Sequence, residues 1–338
     1  MGRLNIMDKL NAFVTAPFDD QALKPLQKWL NIIFGGWRET RRRITLEELK
    51  RELEGVQILL VELDPVPKGV IEESSELRLI ASCRGNPRIS CDVDAATKRG
   101  IPVIYAPGRN VVSVAESTIG FMIMLAHRLV EARDDLKKRR KWGSGKDYPY
   151  VKFQGIELQR KTVGIIGFGR IGTEVAKRLR RFDVNILVYD PFVSERFVRR
   201  WAGKKTDLGT LLQLSDFVTI HTPLAPETKH IIGKRELQLM KSSAFLINTA
   251  RGVPVDEKAL YEHLKQRRIK GAAFDVIENE PLEEDHPFLS LDNMLLTPHI
   301  TAASVDTIRH YSFPISKDIQ RWLRGLKPKN VFNPEVYG

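Results

Sequence analysis

Short apolar runs alternate along the chain with stretches whose apolar residues recur at helical spacing, which predicts an α/β class with parallel sheets. Before Pro107 the strand candidates are residues 12–15, 31–34, 56–61, 79–82 and 103–105. Residues 19–30, 45–53 and 68–75 read as the helices between them, and Thr45 with Glu48 forms a capping box for the second. After Asn110, apolar positions at Val112, Ala115, Ile119, Met122, Ala126 and Val130 predict one long helix. From Ser117 to Ala126 it carries no charge on any face. Such a helix is expected to be buried on all sides, within this chain or against another copy. Further strands are expected at 163–166, 184–189, 217–220, 245–248, 272–275 and 294–296, and a closing helix at 304–323.

One strand candidate leads directly into Gly167-Phe168-Gly169-Arg170-Ile171-Gly172, a G-x-G-x-x-G turn followed by a helix-compatible stretch. Gly167 permits the tight turn, Gly169 lets backbone approach a pyrophosphate, and Gly172 lets the helix pack on the sheet. The amides of the helix N-terminus then face the phosphates. Asp190 ends the next apolar run, 18 residues past Gly172, where a ribose-binding carboxylate belongs. A structural glycine turn in some other βαβ unit would leave Asp190 unexplained. The reading is dinucleotide binding, with NAD expected over NADP because Asp190 would repel a 2′-phosphate. The basic set Arg196, Arg199, Arg200, Lys204 and Lys205 is assigned to a solvated helix face.

At 338 residues the chain is long for a single core, so two domains are expected. The net charge of +12 admits nucleic acid, an anionic membrane or acidic ligands as partners. The charges are mixed with acids, however, and the dense run Lys137-Lys138-Arg139-Arg140-Lys141 reads as a solvated helix end. No nucleic acid and no membrane is expected. The apolar stretch 117–126 is too short to cross a bilayer, the start does not read as a signal peptide, and Ile6 stands where N-myristoylation of Gly2 wants Ser or Thr. Cys83 and Cys91 make neither a disulfide framework nor a metal site, which fits the cytoplasm, and no metal is expected.

Three segments downstream share a pattern in which an apolar strand ends in a polar side chain. They are Asn248-Thr249-Ala250-Arg251-Gly252, Phe274-Asp275 through Glu280-Pro281, and Leu295-Leu296-Thr297-Pro298-His299. Ligands of open α/β sheets bind outside the carboxyl ends of strands, so these residues should converge. Hydride transfer to a keto group needs a proton donor for the oxygen and a cation for the substrate carboxylate. His299 suits the first role, with Glu280 to fix its tautomer, and Arg251 suits the second because it can fork a carboxylate. Singly, each residue reads as a loop or turn position. In this order after a dinucleotide turn they read as a catalytic set.

The chain resembles the D-isomer-specific 2-hydroxyacid dehydrogenases, which include phosphoglycerate dehydrogenases and glyoxylate/hydroxypyruvate reductases. The resemblance runs from about Leu77 to Val336 and rests on Arg109-Asn110, Ser113 through Glu116, the glycine turn, His221-Thr222-Pro223-Leu224, Asn248 through Gly252, Asp275-Val276, Glu280-Pro281 and Pro298-His299-Ile300. It implies two doubly wound parallel-sheet domains, with a Rossmann NAD-binding domain (111–300) inserted in a flavodoxin-like substrate domain (1–110 and 301–338). It implies catalysis by Arg251, Glu280 and His299, and cofactor contacts from Gly167, Gly169, Arg170, Ile171, Gly172, Asp190, His221, Thr222, Pro223, Thr249, Ala250, Arg251, Asp275 and His299. Asp275 is expected at the nicotinamide, and a homodimer through the helix after Asn110. A small 2-keto or 2-hydroxy acid is expected as substrate, its carboxylate held by Arg84, Gly85 and Asn86 with Arg251 and His299.

Departures from the family pattern narrow the substrate. The loop Cys83 through Asp92 carries an extra Arg and a Pro, and Glu62-Leu63-Asp64 stands where phosphoglycerate enzymes are basic. These acids would repel a phosphate; the run Arg38 through Arg43 could supply positive charge from another loop, but it reads as a solvated charge run. No appended regulatory domain is expected after Gly338. Glyoxylate, hydroxypyruvate or a sugar acid is therefore the first expectation and a phosphorylated acid the second. The rival from another class is a corepressor-like protein that senses NAD(H) without turnover.

Overall fold

The computed structural model describes residues 9–338, so the reading of Gly2 and Ile6 lies outside the described residues. Two compact units are present. One runs to Asn110 and resumes over Ser304–Gly338; the other is Val111–Ala303. The second junction thus falls three residues beyond the expected 300/301.

In the first unit five strands, β1 (Leu10–Val14), β2 (Leu30–Phe34), β3 (Ile58–Val61), β4 (Leu79–Ser82) and β5 (Val103–Ile104), lie in the order β2-β1-β3-β4-β5. All pairs are parallel, which is the flavodoxin-like doubly wound order. β3 and β4 are buried at every position because helices cover both faces. Helix Leu46–Glu52 starts at Thr45 with the capping box intact. The helix expected over 19–30 is α-helical only at Asp20–Leu23. Pro25 has no N–H to continue the ladder, and Leu30 opens β2 in register with Leu10. Helices Gly36–Thr40 and Val93–Lys98 were not anticipated.

The C-terminal segment is tied into this unit by buried polar bonds. Helix Val305–Leu323 is capped by Ser304, and its Tyr311 hydroxyl donates to Pro17 O at 2.6 Å. Ser316 Oγ donates to Ala22 O at 2.6 Å, and buried Asn333 accepts the Val103 N–H at 2.8 Å.

The second unit holds β6 (Thr162–Ile166), β7 (Asn185–Tyr189), β8 (Gly203–Lys205), β9 (Phe217–Ile220), β10 (Phe245–Asn248), β11 (Gly271–Phe274) and β12 (Met294–Leu296). Their order, β12-β11-β10-β9-β6-β7-β8, is the Rossmann arrangement with one added strand. Alternation divides the core between two faces. Val163 and Ile165 pack with Val175, Ala176 and Leu179, while Ile166 packs with Leu211 and Leu212 on the other side. Strand β8 corrects one expectation, because Lys204 and Lys205 sit on an edge strand and not on a helix face. Arg196 and Arg199 do lie exposed on helix Glu195–Arg199.

The single long helix expected after Asn110 is two helices, Val111–Ala126 and Leu129–Arg139, bent by 61°. The Ala126 carbonyl that would continue the ladder instead accepts the Ile156 N–H at 2.8 Å, and Arg128 takes a left-handed backbone with φ 52°. Within the uncharged stretch Thr118, Ile119, Phe121, Met122 and Ala126 are buried. Gly120, Ile123, Met124 and Leu125 are only half-buried, so the chain alone does not cover every face. Among the described residues no single helix is long and apolar enough to cross a membrane.

Candidate dinucleotide and catalytic site

The glycine turn leaves β6 as its sequence requires. Gly167 has φ +87°, and a Cβ there would sit 2.8 Å from the His221 carbonyl. A Cβ on Gly172 would stand 2.3 Å from Gly167 O, so the helix Arg170–Leu179 rests directly on the turn. Around Gly169, by contrast, a Cβ would meet nothing within 4 Å, and this residue caps the helix without any side-chain bond. Open space above uncapped helical amides fits a pyrophosphate. At the end of β7, Asp190 accepts the Phe168 N–H at 2.7 Å and the Phe192 N–H at 2.8 Å. The acid therefore braces the glycine turn, at the strand end where the ribose contact is expected. Arg170 is exposed and Ile171 half-buried on the first turn of the helix.

At the end of β9, His221 Nε2 lies 3.0 Å from Thr219 Oγ1, while His221 Nδ1 and Thr222 Oγ1 are buried without partners. Burial drives the His221 ring down to about 3, so it is neutral at ordinary pH. Orphaned polar atoms of this kind suit a ligand that supplies their bonds. The residues present fit a dinucleotide. Pro223, next in the chain, is exposed.

At the end of β10, Asn248 brackets the turn, accepting the Ala250 N–H at 3.1 Å and donating to Arg251 O at 2.7 Å. Thr249 is buried with its hydroxyl 3.0 Å from Thr118 Oγ1, whereas Arg251 is exposed and donates to Ala250 O at 2.6 Å. The turn thus buries Thr249 and Ala250 and projects the guanidinium outward.

The third strand end is organised by Asp275, which is 1% exposed. Its Oδ1 accepts from Thr297 Oγ1 at 2.6 Å and Ile300 N at 2.8 Å. Its Oδ2 accepts from Thr301 N at 2.9 Å and Thr301 Oγ1 at 2.6 Å. All four acceptor positions of the carboxylate are taken by one loop. The carboxylate is thus engaged by residues 297–301, at the strand end where the nicotinamide contact is expected. Within that loop His299 has a left-handed backbone, φ 55°, and donates its N–H to Asp275 O at 2.9 Å. A non-glycine residue held there costs about 1–3 kcal/mol, which the surrounding bonds must offset. The imidazole Nδ1 then meets Glu280 Oε2 at 2.7 Å, both side chains being partly exposed. A cavity of about 230 Å³ borders this pair, walled by Val276, Ile277, Pro281, Leu282, Leu289 and Leu296.

In the first unit the loop after β4 carries Arg84, Gly85 and Asn86. Arg84 Nε donates to Glu62 O at 2.6 Å, and Asn86 Oδ1 caps the following turn through the Arg88 N–H at 3.1 Å. Gly85 and Asn86 are exposed. The acids expected to repel phosphate prove to be occupied. Glu62 pairs with Arg109 and lies 3.4 Å from the Tyr311 hydroxyl oxygen, while fully buried Asp64 accepts the Trp37 and Ile44 N–H groups at 3.1 and 2.9 Å. The Glu62 charge is thus paired with a guanidinium, whereas Asp64 keeps its charge and is held by backbone amides. Thr297 and Ser113 stand in motifs read from the sequence but were given no role, and Thr301 was missed; Ser113 Oγ donates to Thr301 O at 2.6 Å. A hydroxyl on each side of an expected catalytic His was the available signal.

Residues 119–301 match the family model described as D-isomer specific 2-hydroxyacid dehydrogenase, NAD binding domain. The chain is 38% identical, over 95% of its length, to the D-3-phosphoglycerate dehydrogenase of Methanocaldococcus jannaschii, but spans only 59% of that protein. Against the glyoxylate reductase of Thermofilum pendens it is 37% identical, covering 98% of this chain and 96% of the relative. A crystal structure of a putative D-isomer specific 2-hydroxyacid dehydrogenase from Polaromonas superposes with a TM-score of 0.84 at 25% identity, covering 96% of this chain and all of that one. The chain belongs to the D-isomer-specific 2-hydroxyacid dehydrogenase family, and its second unit carries the family's NAD-binding domain.

Proposed function

We propose that this protein interconverts a small 2-keto acid and the corresponding D-2-hydroxy acid with NAD(H). The observation that carries the reading is the His299–Glu280 contact of 2.7 Å at the strand end adjoining Asp275. Bound NADH supplies the hydride that reduces the keto carbon. Arg251 forks the substrate carboxylate and polarises the carbonyl. His299 donates a proton from Nε2 to the carbonyl oxygen as hydride reaches the carbon, and takes it back in the reverse direction. Glu280, bonded to Nδ1, keeps the imidazole in the tautomer and orientation that present Nε2. Arg84, Gly85 and Asn86 are assigned to the carboxylate as well.

Glyoxylate, hydroxypyruvate or a sugar acid is the substrate class. A phosphorylated acid is the second reading, favoured by the pairing of Glu62 with Arg109, which offsets one of the two acids at that strand end. A homodimer through the helix Val111–Ala126 is supported by its half-buried Gly120, Ile123 and Met124. The free, buried Cys83 and Cys91 agree with a cytoplasmic setting.

A spectrophotometric screen of 2-keto acids, including 3-phosphohydroxypyruvate, with NADH and NADPH should find turnover with a small acid. Tight NADH binding without oxidation by any of them would instead identify a cofactor-sensing protein. His299→Ala should lower kcat about 100- to 10,000-fold with NADH affinity nearly intact, and a loss under about fivefold removes His299 from the donor role. Arg251→Lys should raise KM for the acid and lower kcat together, because a point charge cannot replace the fork; wild-type kinetics would make this residue structural. NADH should be preferred over NADPH, and Asp190→Ala should narrow the gap. It should also weaken binding of both cofactors, since the Phe168 N–H loses its acceptor. An unchanged preference would mean that another residue reads the ribose.

A further inference from the structure

Gly252 follows Arg251 directly, and a Cβ on it would lie 2.0 Å from Ile277 C and 2.1 Å from Glu278 N. The peptide joining Ile277 to Glu278 is therefore packed face-on against the turn that carries Arg251. The N–H of this same peptide donates to Glu257 Oε1 at 2.7 Å. Two residues later, Glu280 directs Oε2 to His299 and Oε1 back toward the Ile277 N–H at 3.4 Å. One short loop thus joins the turn of Arg251 to the partner of His299, and a single carboxylate from outside holds its middle.

Glu257 opens helix Glu257–Lys265, whose N-cap Asp256 accepts the Ala259 N–H at 3.0 Å. Capping is thereby already provided, and Glu257 is turned away from that duty. Its side chain is 16% exposed and faces His286, with Nε2 3.7 Å from Oε2, and the Glu278 side chain, which itself lies 3.9 Å from His230. His286 Nδ1 accepts the Phe288 N–H at 3.3 Å, so its proton sits on Nε2, toward Glu257. Burial raises the Glu257 carboxyl above the usual range, while the Glu278 amide and His286 work to keep it ionised. A partly desolvated acid whose strong bond goes to one loop amide has a specific structural task.

We propose that Glu257 is a positioning residue for catalysis, its carboxylate fixing the Ile277–Glu278 peptide so that Glu280 meets His299 and the Arg251 turn keeps its seat. The proposal rests on the assignment of Glu280 and His299 to proton transfer. Misplacing such a loop by about 1 Å can cost on the order of 100-fold in rate.

The test compares Glu257→Ala with Glu257→Gln, whose side-chain carbonyl still accepts the amide. Backbone hydrogen exchange over residues 276–282 reads positioning without turnover, and kinetics read its consequence. In Glu257→Ala, exchange should accelerate and kcat should fall about tenfold or more while KM for NADH stays within about twofold. Glu257→Gln should recover both. Unchanged exchange in the Ala variant, faster exchange with wild-type kcat, or a Gln variant as impaired as Ala would each overturn the proposal. Should the wild type reduce no 2-keto acid at all, the functional assignment fails while the exchange comparison still decides the role of Glu257 in the loop.

Discussion

The candidate active centre depends on the buried carboxylate of Asp275. Four hydrogen bonds from Thr297, Ile300 and Thr301 converge on its two oxygens, and a fifth contact, from the His299 N–H, reaches its carbonyl. A buried carboxylate is tolerated only when its acceptors are satisfied, so the bonds that stabilise the acid also fix the loop. That fixed loop is what keeps His299 in a left-handed backbone and turns its ring to Glu280. The same economy operates at Asp190, where amide bonds to Phe168 and Phe192 brace the glycine turn that must remain open to phosphates.

Features governed by local backbone rules were legible in the sequence. Gly167 and Gly172 read as a turn and a close approach because no other residue tolerates such contacts, and Thr45 with Glu48 read as a cap because both partners lie within one helical turn. Parallel strands ending in polar residues placed Arg251, Glu280 and His299 at the same end of one sheet. Features decided by distant partners were not legible. An acid after a strand looks alike whether it meets a ligand or a loop, so the commitment of Asp275 to Thr297 and Thr301 could not be read. The helix break at Ala126 depends on the amide of Ile156, thirty residues on. Nothing near Glu62 and Asp64 in sequence announced Arg109 and the amides of Trp37 and Ile44 as their partners.

Arg109 lies 5.3 Å from the Tyr311 ring and pairs with Glu62, whose backbone carbonyl holds Arg84. Burial and the nearby Glu62 carboxylate keep the Cys83 thiol protonated. The excess of cations over acids in the chain therefore does not translate into free cations at this loop, where guanidinium groups are tied in defined positions.

The role of Asp275 is tested most directly by the rate of the proposed hydride transfer in Asp275→Asn, measured in a single turnover beside NADH affinity. The amide cannot accept all four donors, so the loop should loosen and the rate should fall about tenfold or more, with the NADH Kd within about threefold. A rate equal to wild type would contradict the account. So would a loss of NADH affinity in step with the rate, because Asp275 would then be serving the cofactor and not the loop.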